Sequence, residues 1–404
     1  MVMLGILAGV ASACSAPTDE GDGAGAAGAD HELNGSPVDD SFGQAGWLVG
    51  TDEVLRLMPS EEGLAFTAGA YAFRRALPSG ELDSTFVEET KPSVLWAKHG
   101  VALPSGKFVL GSGDLLRDGV FQLERRAEDG RRDSTFAGPT STLDMATAMI
   151  SAGADALLVV GTKDLQLAVE KISATGSRDP SFGTDGIATT ADSKNLRATS
   201  IALAGDRSMF VGGYEIAAKA GDPFDPVVVR LTSKGTIDTT FGGVRRVPEL
   251  VLGPRVMTVD EKGSVLMLSE EGRRLVRVKR DGTVDTTFGE AGVVQLSKET
   301  PACRDHLCEG VALALQSDGK IVLVVNGDVY PEKAAFVTRL NDDGSFDEAF
   351  GQKGWVGPLQ LMPDGRGSSA ADEALLVTGT RIYVGGTAKT KNNETRGGIV
   401  ALRR

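Results

Sequence analysis

The stretch "RDGTVDTTFGEAG", residues 280–292, is one copy of a motif that recurs along the whole chain. Its Asp285 stands three residues before Phe288, and the same spacing occurs at six other places, each copy following the last after 44 to 62 residues. Repeats of about 40–50 residues are typical of β-propeller blades. The motif residues are Asp39 and Phe42, Asp83 and Phe86, Asp133 and Phe136, Asp179 and Phe182, Asp238 and Phe241, Asp285 and Phe288, and Asp347 and Phe350.

Short apolar runs alternate with turn residues inside each repeat. In the sixth repeat, "GVALALQ" (310–316), "SDG" (317–319) and "KIVLVVNG" (320–327) follow one another. Runs rich in Val, Ile and Leu between Gly and Asp predict strands joined by tight turns. Four strands in each of seven units predict an all-β fold, a seven-bladed β-propeller over residues 35–404. A β-solenoid or a chain of small sandwiches would also fit the pattern.

These residues resemble the delta-60 repeat proteins, in which a start of the type Asp-x-Ser/Thr-Phe-Gly is followed later by Asp-Gly-Lys-Ile and a hydrophobic residue. The best copies here are "VDTTFG" (284–289) and "SDGKIVLVV" (317–325), and the resemblance covers residues 35–404. It implies a propeller-like body in an exported bacterial protein. It implies no catalytic residues, because the family is largely uncharacterised.

A base stands eight residues before the motif Asp in six repeats. Because a chain that doubles back through a turn brings such residues together, we expect salt bridges that fasten each repeat to the next. Exposed pairs of this kind contribute about 0–1 kcal/mol, and buried ones contribute more to specificity than to stability. The bases are Arg75, Arg125, Lys171, Arg230, Arg277 and Arg339.

The two ends of the repeat region lack one partner each. Asp39 has no base upstream, and Arg403 has no motif Asp downstream. An open ring would leave strand edges exposed, so we expect the ring to close with Asp39 and Arg403 as partners.

The first residues, "MVMLGILAGVASAC", are apolar and too short for a membrane span, which predicts a signal peptide over 1–13. "VASAC" (10–14) resembles the lipobox of bacterial lipoproteins, which implies that Cys14 is diacylated and becomes the mature N-terminus. Residue Ala11 departs from the usual Leu of that motif, and no Lys or Arg precedes the apolar run, which favours a true start upstream of Met1. An ordinary signal peptide cut near Ala13 is the alternative.

Residues 14–34 are small, polar and acidic, which predicts a flexible linker between the anchor and the propeller. We therefore expect an exported protein of the bacterial cell envelope, anchored to the outer membrane by its lipid alone. A soluble periplasmic or secreted protein is the alternative location.

Few residues suit acid–base or metal chemistry. The chain has three histidines, and only His306 lies beside cysteines, in "CRDHLC" (303–308). This segment would suit part of a metal site, but no fourth ligand is evident, and in an exported protein we expect a Cys303–Cys308 disulfide instead. No nucleotide, metalloprotease or serine-hydrolase motif occurs, so we predict no catalytic residue, no metal and no cofactor.

The net charge of −13 argues against nucleic acid as a partner, because nucleic-acid binding needs a basic face. The sequence favours a monomeric binding or scaffold protein for a protein or glycan partner. An alternative is a hydrolase or lyase that acts on a sugar or lactone in the central channel. Long stretches at 215–226, 297–310 and 362–373 distinguish the later repeats, and function in such folds commonly lies on loops.

Overall fold

The computed structural model describes residues 38–70, 72–88, 97–113, 121–138, 141–190, 195–216, 224–296, 308–329, 332–362, 366–390 and 392–404. The predicted signal peptide (1–13) and the predicted linker with Cys14 (14–34) lie outside these residues. Among the described residues, no helix has the length and apolar character needed to cross a membrane.

Seven antiparallel sheets, here called blades I to VII, make up the described chain. The first strand of each blade contacts the first strand of the next, all the way round from blade VII back to blade I. These strands therefore surround a central axis. In blade order they are β2 (Val54–Ser60), β5 (His99–Ala102), β8 (Met145–Gly153), β12 (Leu196–Leu203), β16 (Pro254–Val259), β20 (Cys308–Leu315) and β24 (Arg366–Val377).

The second and third strands of each blade extend outward from this inner ring. The second strands are β3 (Gly63–Ala68), β6 (Phe108–Gly113), β9 (Ala156–Lys163), β13 (Met209–Glu215), β17 (Val265–Ser269), β21 (Ile321–Val329) and β25 (Arg381–Lys389). The third strands are β4 (Ala72–Ala76), β7 (Phe121–Arg126), β10 (Gln166–Ile172), β14 (Asp225–Leu231), β18 (Arg274–Val278), β22 (Glu332–Leu340) and β26 (Thr395–Arg403).

Five blades have a fourth, outermost strand within the described residues, and blades I and II show three. Two 3₁₀-helices, Thr239–Phe241 and Pro248–Leu250, flank the outer strand of blade IV. The outermost strands are β11 (Ile187–Thr189), β15 (Val244–Arg246), β19 (Val293–Gln295), β23 (Trp355–Leu359) and β1 (Trp47–Thr51).

Ring closure joins the two ends of the chain. The N-terminal strand β1 pairs antiparallel with the C-terminal strand β26, with Trp47 opposite Val400 and Leu48 opposite Ile399. Blade VII therefore consists of β24, β25, β26 and β1. The predicted seven-bladed β-propeller is confirmed, and a solenoid or a chain of sandwiches is excluded.

The core is divided between the blades. The buried apolar residues form seven clusters within the described chain, and each cluster draws on two neighbouring blades. Middle strands are apolar on both faces because each face packs against a blade; Ile321 to Val325 of β21 are all at most 1% exposed. Each cluster contains one motif Phe, so the repeat contributes one buried ring to every blade interface.

The strand order gives the propeller two distinct faces. Since neighbouring strands are antiparallel, the turn between the first and second strands and the turn after the third strand lie on one face, which we call the hairpin face. The other connections lie on the opposite face. The strand ends that flank the long stretches at 215–226, 297–310 and 362–373 all lie on that opposite face.

Candidate binding pocket on the hairpin face

The motif Asp is fully engaged within its own turn. In the motif that opened the sequence, Asp285 Oδ1 accepts hydrogen bonds from the backbone N–H of Thr287 at 3.2 Å and from its hydroxyl at 2.7 Å. Arg277 Nε donates to Asp285 Oδ2 at 2.8 Å, and both side chains are about nine-tenths buried. Both carboxylate oxygens are thus occupied by neighbours in the chain.

The same arrangement recurs in blades I to VI. The base on the third strand contacts the next motif Asp in every case: Arg75–Asp83 at 2.5 Å, Arg125–Asp133 at 2.9 Å, Lys171–Asp179 at 2.9 Å, Arg230–Asp238 at 3.2 Å, Arg277–Asp285 at 2.8 Å and Arg339–Asp347 at 2.7 Å.

Three of these bases, Arg75, Arg125 and Arg277, also donate to a backbone carbonyl of the following blade. Arg277 Nη1 donates to the Asp342 carbonyl at 2.5 Å, and Arg75 Nη1 donates to the Glu128 carbonyl at 3.2 Å. The Arg277 guanidinium lies 4.6 Å from the centre of the Phe288 ring, a cation–π geometry. Arg230 differs, since it stacks on Phe210. Base, acid and ring together fasten two blades.

Hydrogen bonding keeps the motif carboxyls ionised. The Thr85 hydroxyl and backbone N–H, with Arg75, lower the pKa of Asp83 to about 2. The Ser181 hydroxyl and Lys171 lower the pKa of Asp179 to about 2. A carboxylate that is ionised and saturated with donors is a poor general acid or base near neutral pH, so the repeated acids serve the fold.

Blade VII uses a different base for the same task. The Asp39 backbone N–H donates to the Ala401 carbonyl at 2.9 Å, as Asp285 does to Arg277, so the expected base position holds an alanine. Arg381 on β25 supplies the guanidinium instead: its Nε donates to Asp39 Oδ2 at 2.6 Å and its Nη1 donates to the Pro78 carbonyl at 2.6 Å.

The ion pair expected from the sequence, between Asp39 and Arg403, has a longer N–O distance than the pair between Asp39 and Arg381. Arg403 Nε lies 3.9 Å from Asp39 Oδ1, its side chain is 57% exposed, and it also contacts Asp40. Sequence reasoning missed Arg381 because no repeat spacing marks it. It lies opposite Arg403 in the pairing of β25 with β26, a relation that only the sheet register reveals.

The cysteines and histidines of the sequence fall mostly outside the described residues. Cys14, Cys303, His31 and His306 lie there. Cys308 begins β20 and is buried, and the predicted disulfide stays a prediction.

The remaining histidine, His99, belongs to the innermost strand β5. Its ring lies 5.4 Å from that of Phe121. The described chain contains no group of three or more His, Cys, Asp or Glu residues placed to hold a metal ion.

A pocket of about 770 Å³ opens on the hairpin face between blades V, VI and VII. Its walls are the turns after the first strands of these blades, with one residue from the turn after β22 and one from the chain end. The lining residues are Val259, Asp260, Glu261, Lys262, Leu315, Gln316, Ser317, Asp318, Gly319, Asp342, Val377, Thr378, Gly379 and Arg404.

One position of the repeat supplies the polar residues at the back of these turns. The backbone N–H at this position donates across the hairpin turn in the same way in blades II, IV, V and VI, as for Asp260 to the Ser264 carbonyl at 2.9 Å and Gln316 to the Lys320 carbonyl at 2.8 Å. Strand register and these bonds identify the equivalent residues round the ring as Ser60, Leu103, Ala152, Ala204, Asp260, Gln316 and Thr378.

This ring of seven residues is polar on one side only. Blades V, VI, VII and I contribute Asp, Gln, Thr and Ser, whereas blades II, III and IV contribute Leu, Ala and Ala. The pocket lies on the polar side. Since the seven positions are equivalent in the fold, the polar arc is a property of this sequence and is not required by the propeller.

Three of these residues, Ser60, Asp260 and Gln316, hold buried polar atoms that have no hydrogen-bond partner, and the last two line the pocket. Gln316 is 4% exposed, and both its amide nitrogen and its amide oxygen are unpartnered. Asp260 Oδ1 accepts from the Ser264 backbone N–H at 2.8 Å, but its buried Oδ2 has no partner. A buried polar group without a hydrogen-bond partner lowers the folding stability by about 1–3 kcal/mol.

The charges around the pocket are uneven. Four acids and two bases line it. Lys262 Nζ lies 2.5 Å from Asp342, and Arg404 lies 3.2 Å from Asp318, so both bases are already matched with an acid of the same wall. The lining of the pocket therefore carries a net negative charge.

Sequence reasoning missed Gln316 and Asp260. The segments "QSDGK" (316–320) and "DEKGS" (260–264) look like ordinary hairpin turns. The separation from the following motif Phe differs between blades, 28 residues for Asp260 and 34 for Gln316, so only the strand register brings these turn residues to one position. The strand ends that flank the long stretches favoured by the sequence lie on the opposite face.

Comparison with protein families identifies a related repeat. Residues 204–241 and 316–350 match the model described as "Domain of unknown function (DUF5122) beta-propeller". Both matches begin at the ring position just described, at Ala204 and Gln316, and end at a motif Phe. The match supports a propeller-type repeat protein. A comparison with curated proteins finds no match.

Solved structures share the fold at low sequence identity. A streptogramin B lyase is 12% identical, with 88% of this chain and 98% of that chain covered and a TM-score of 0.50. A catalytically inactive virginiamycin B lyase from Staphylococcus aureus with quinupristin is 11% identical, with the same coverage and a TM-score of 0.51. YCF48 bound to D1 peptide is 8% identical, with 88% and 96% covered and a TM-score of 0.50. These likenesses concern the fold alone.

Proposed function

We propose that this protein is an exported, lipid-tethered binding protein whose propeller holds a ligand on its hairpin face and leaves that ligand chemically unchanged. The observation that carries the proposal is the contrast between two sets of polar residues. The motif acids such as Asp285 are saturated by their own blade, whereas Gln316 and Asp260 hold unpartnered buried atoms in a pocket. Polar atoms that converge in a concave site are typical of ligand binding.

A binding protein of this kind takes a glycan or a protein as its partner. Hydrolysis or elimination in the channel is the competing function, since propellers host both classes. The two differ in what becomes of the ligand, so the deciding experiment follows the ligand itself.

That experiment passes soluble envelope glycans and envelope proteins, in separate arms, over the immobilised full chain. The bound material is eluted and compared by mass spectrometry with the input. We expect stoichiometric retention of one class and no change in its mass. A product of altered mass that accumulates with time would show catalysis, and retention in neither arm would contradict the binding function.

The lipid anchor has its own test. Cells that express the full chain are fed an alkyne-bearing fatty acid, and the label on the protein is compared between wild type and Cys14→Ala. We expect membrane-associated, labelled wild type and an unlabelled variant. Unlabelled wild type in the soluble fraction would support the ordinary signal peptide cut near Ala13.

The disulfide is tested by the intact mass of the unfolded protein before and after reduction. We expect a gain of two hydrogens, which a Cys303–Cys308 bridge requires. An unchanged mass would leave two free thiols and contradict the bridge.

A further inference from the structure

We infer that the pocket between blades V, VI and VII binds a neutral polyhydroxylated ligand, a saccharide, through Gln316 and Asp260. This inference rests on the proposed binding function and narrows it to one site and one class of ligand. It is carried by the unpartnered buried atoms of two lining residues, by the charge of the walls and by the apolar lining residues beside them.

Gln316 offers both halves of a hydrogen-bonding pair. Its amide oxygen accepts and its amide nitrogen donates two hydrogens, and neither atom has a partner within the protein. A hydroxyl both donates and accepts, so two adjacent hydroxyls of a sugar match the two ends of one amide. The side chain is buried at 4% exposure, and its rotamers are therefore restricted before a ligand arrives.

Asp260 adds a third point of attachment. Its Oδ1 is held by the Ser264 N–H, which fixes the carboxylate and leaves Oδ2 as a buried acceptor. Asp260 and Gln316 occupy equivalent positions in neighbouring blades, and both residues line the pocket from adjacent turns. A charged acceptor beside an amide strengthens binding to hydroxyl donors.

The wall charges select against acidic sugars. The four acids outnumber the two bases, and Lys262 and Arg404 are each paired with a wall carboxylate. An anionic ligand would have to displace one of these carboxylates from its base, and the Asp260 carboxylate would repel it. A neutral ligand meets neither obstacle.

Apolar residues complete the site. Val259, Leu315 and Val377 precede the three polar ring residues in their blades and also line the pocket. Sugar rings carry C–H faces beside their hydroxyl edges, and this wall suits such a face. A volume of about 770 Å³ falls within the range of small-molecule sites and admits more than one ring.

The test is a glycan array that carries neutral, uronic-acid and amino-sugar oligosaccharides, probed with the full chain. Isothermal titration with the best neutral disaccharide then compares wild type with Gln316→Leu and Asp260→Asn. Gln166→Leu is the matched control, because Gln166 also has a buried unpartnered amide oxygen but begins β10, away from the pocket. Thermal unfolding of each variant is recorded alongside.

We expect wild type to retain neutral oligosaccharides in preference to the other two classes. Gln316→Leu should weaken binding at least tenfold, equivalent to about 1.4 kcal/mol, because it removes both partners of the hydroxyl pair. Asp260→Asn should weaken it less, and Gln166→Leu should leave it unchanged. Gln316→Leu should unfold at the wild-type temperature or above, since the lost amide has no bond to the protein.

Several results would overturn the inference. Preference for uronic acids or amino sugars would refute the ligand class. Unchanged affinity in Gln316→Leu would refute the site, and a marked fall in its unfolding temperature would make Gln316 a structural residue. If the glycan array shows no binding but the immobilised chain retains an envelope protein, the saccharide inference fails and the proposed binding function stands. If the array shows no binding and neither arm of the envelope experiment retains a ligand, the inference and the proposed function both fail.

Discussion

Ring closure predicts a large difference between two arginines that lie opposite each other. Arg381→Met should destabilise the propeller strongly, and Arg403→Met should hardly affect it. Arg381 and Asp39 are 16% and 12% exposed and joined at 2.6 Å, whereas Arg403 is 57% exposed and 3.9 Å from Asp39. Sequence spacing alone would give the opposite ranking.

The magnitude follows from burial. Removing one partner of a buried ion pair costs about 3–5 kcal/mol, and the residual exposure of Arg381 and Asp39 reduces this to about 2–4 kcal/mol. An exposed pair such as that of Arg403 contributes about 0–1 kcal/mol. With an unfolding entropy near 2.1 cal/mol/K per residue over roughly 370 residues, the melting temperature should fall by about 3–5 °C in Arg381→Met and by about 1 °C or less in Arg403→Met.

The assay is differential scanning calorimetry of wild type, both single variants, Asp39→Asn and the two double variants. The coupling energy between Asp39 and Arg381 should exceed that between Asp39 and Arg403 by at least 1 kcal/mol. Equal destabilisation by the two arginine variants, or a larger coupling to Arg403, would refute the assignment of Arg381 as the closing base.

Two further predictions concern the repeat motif. The folded-state pKa values of Asp83 and Asp179 lie near 2, below the unfolded value of about 3.9. The folding stability that these ionised carboxylates contribute is therefore complete above pH 4 and is lost as the pH falls towards 2. Urea unfolding across this range should show the loss, and Asp83→Asn should make the pH dependence of stability weaker. Gly282 and Gly319 share φ +82°, but a Cβ on Gly282 would lie 2.2 Å from the Phe241 carbonyl oxygen while one on Gly319 meets nothing within 4 Å. Gly319→Ala should therefore cost about 1 kcal/mol of left-handed strain, and Gly282→Ala should cost clearly more in the same urea assay; equal costs would show that the blades do not meet there.

Much of the fold could be predicted because it is repeated. Asp285, Phe288 and Arg277 each contact a local turn or a neighbouring blade, so the same spacing recurs in the repeats and predicts the same structure for each blade. The number of blades, the strand content and the base–acid pairs of blades I to VI follow from that periodicity.

The closing base and the pocket could not be predicted, for a related reason. Arg381 acts across strands whose register is unknown until the sheet forms, and Ala401 holds the place where periodicity expects a base. Gln316 and Asp260 stand in turns whose spacing is ordinary, and their meaning depends on the apolar residues, such as Ala204, at the same position elsewhere in the ring. The repeat pattern predicts only the features that the blades share, whereas Arg381, Gln316 and Asp260 differ from the residues at the same positions in other blades.

The pairing of β1 with β26 has a consequence for how the protein assembles. Trp47 and Val400 are separated by roughly 350 residues, so bringing them together in an otherwise unfolded chain would cost about 5 kcal/mol of loop entropy. Folding of the intervening blades removes most of this cost, which makes sealing of the ring a late event. A chain that is synthesised from its N-terminus must keep β1 unpaired until its last residues emerge, and during that time the open sheet edge of blade VII is exposed to aggregation.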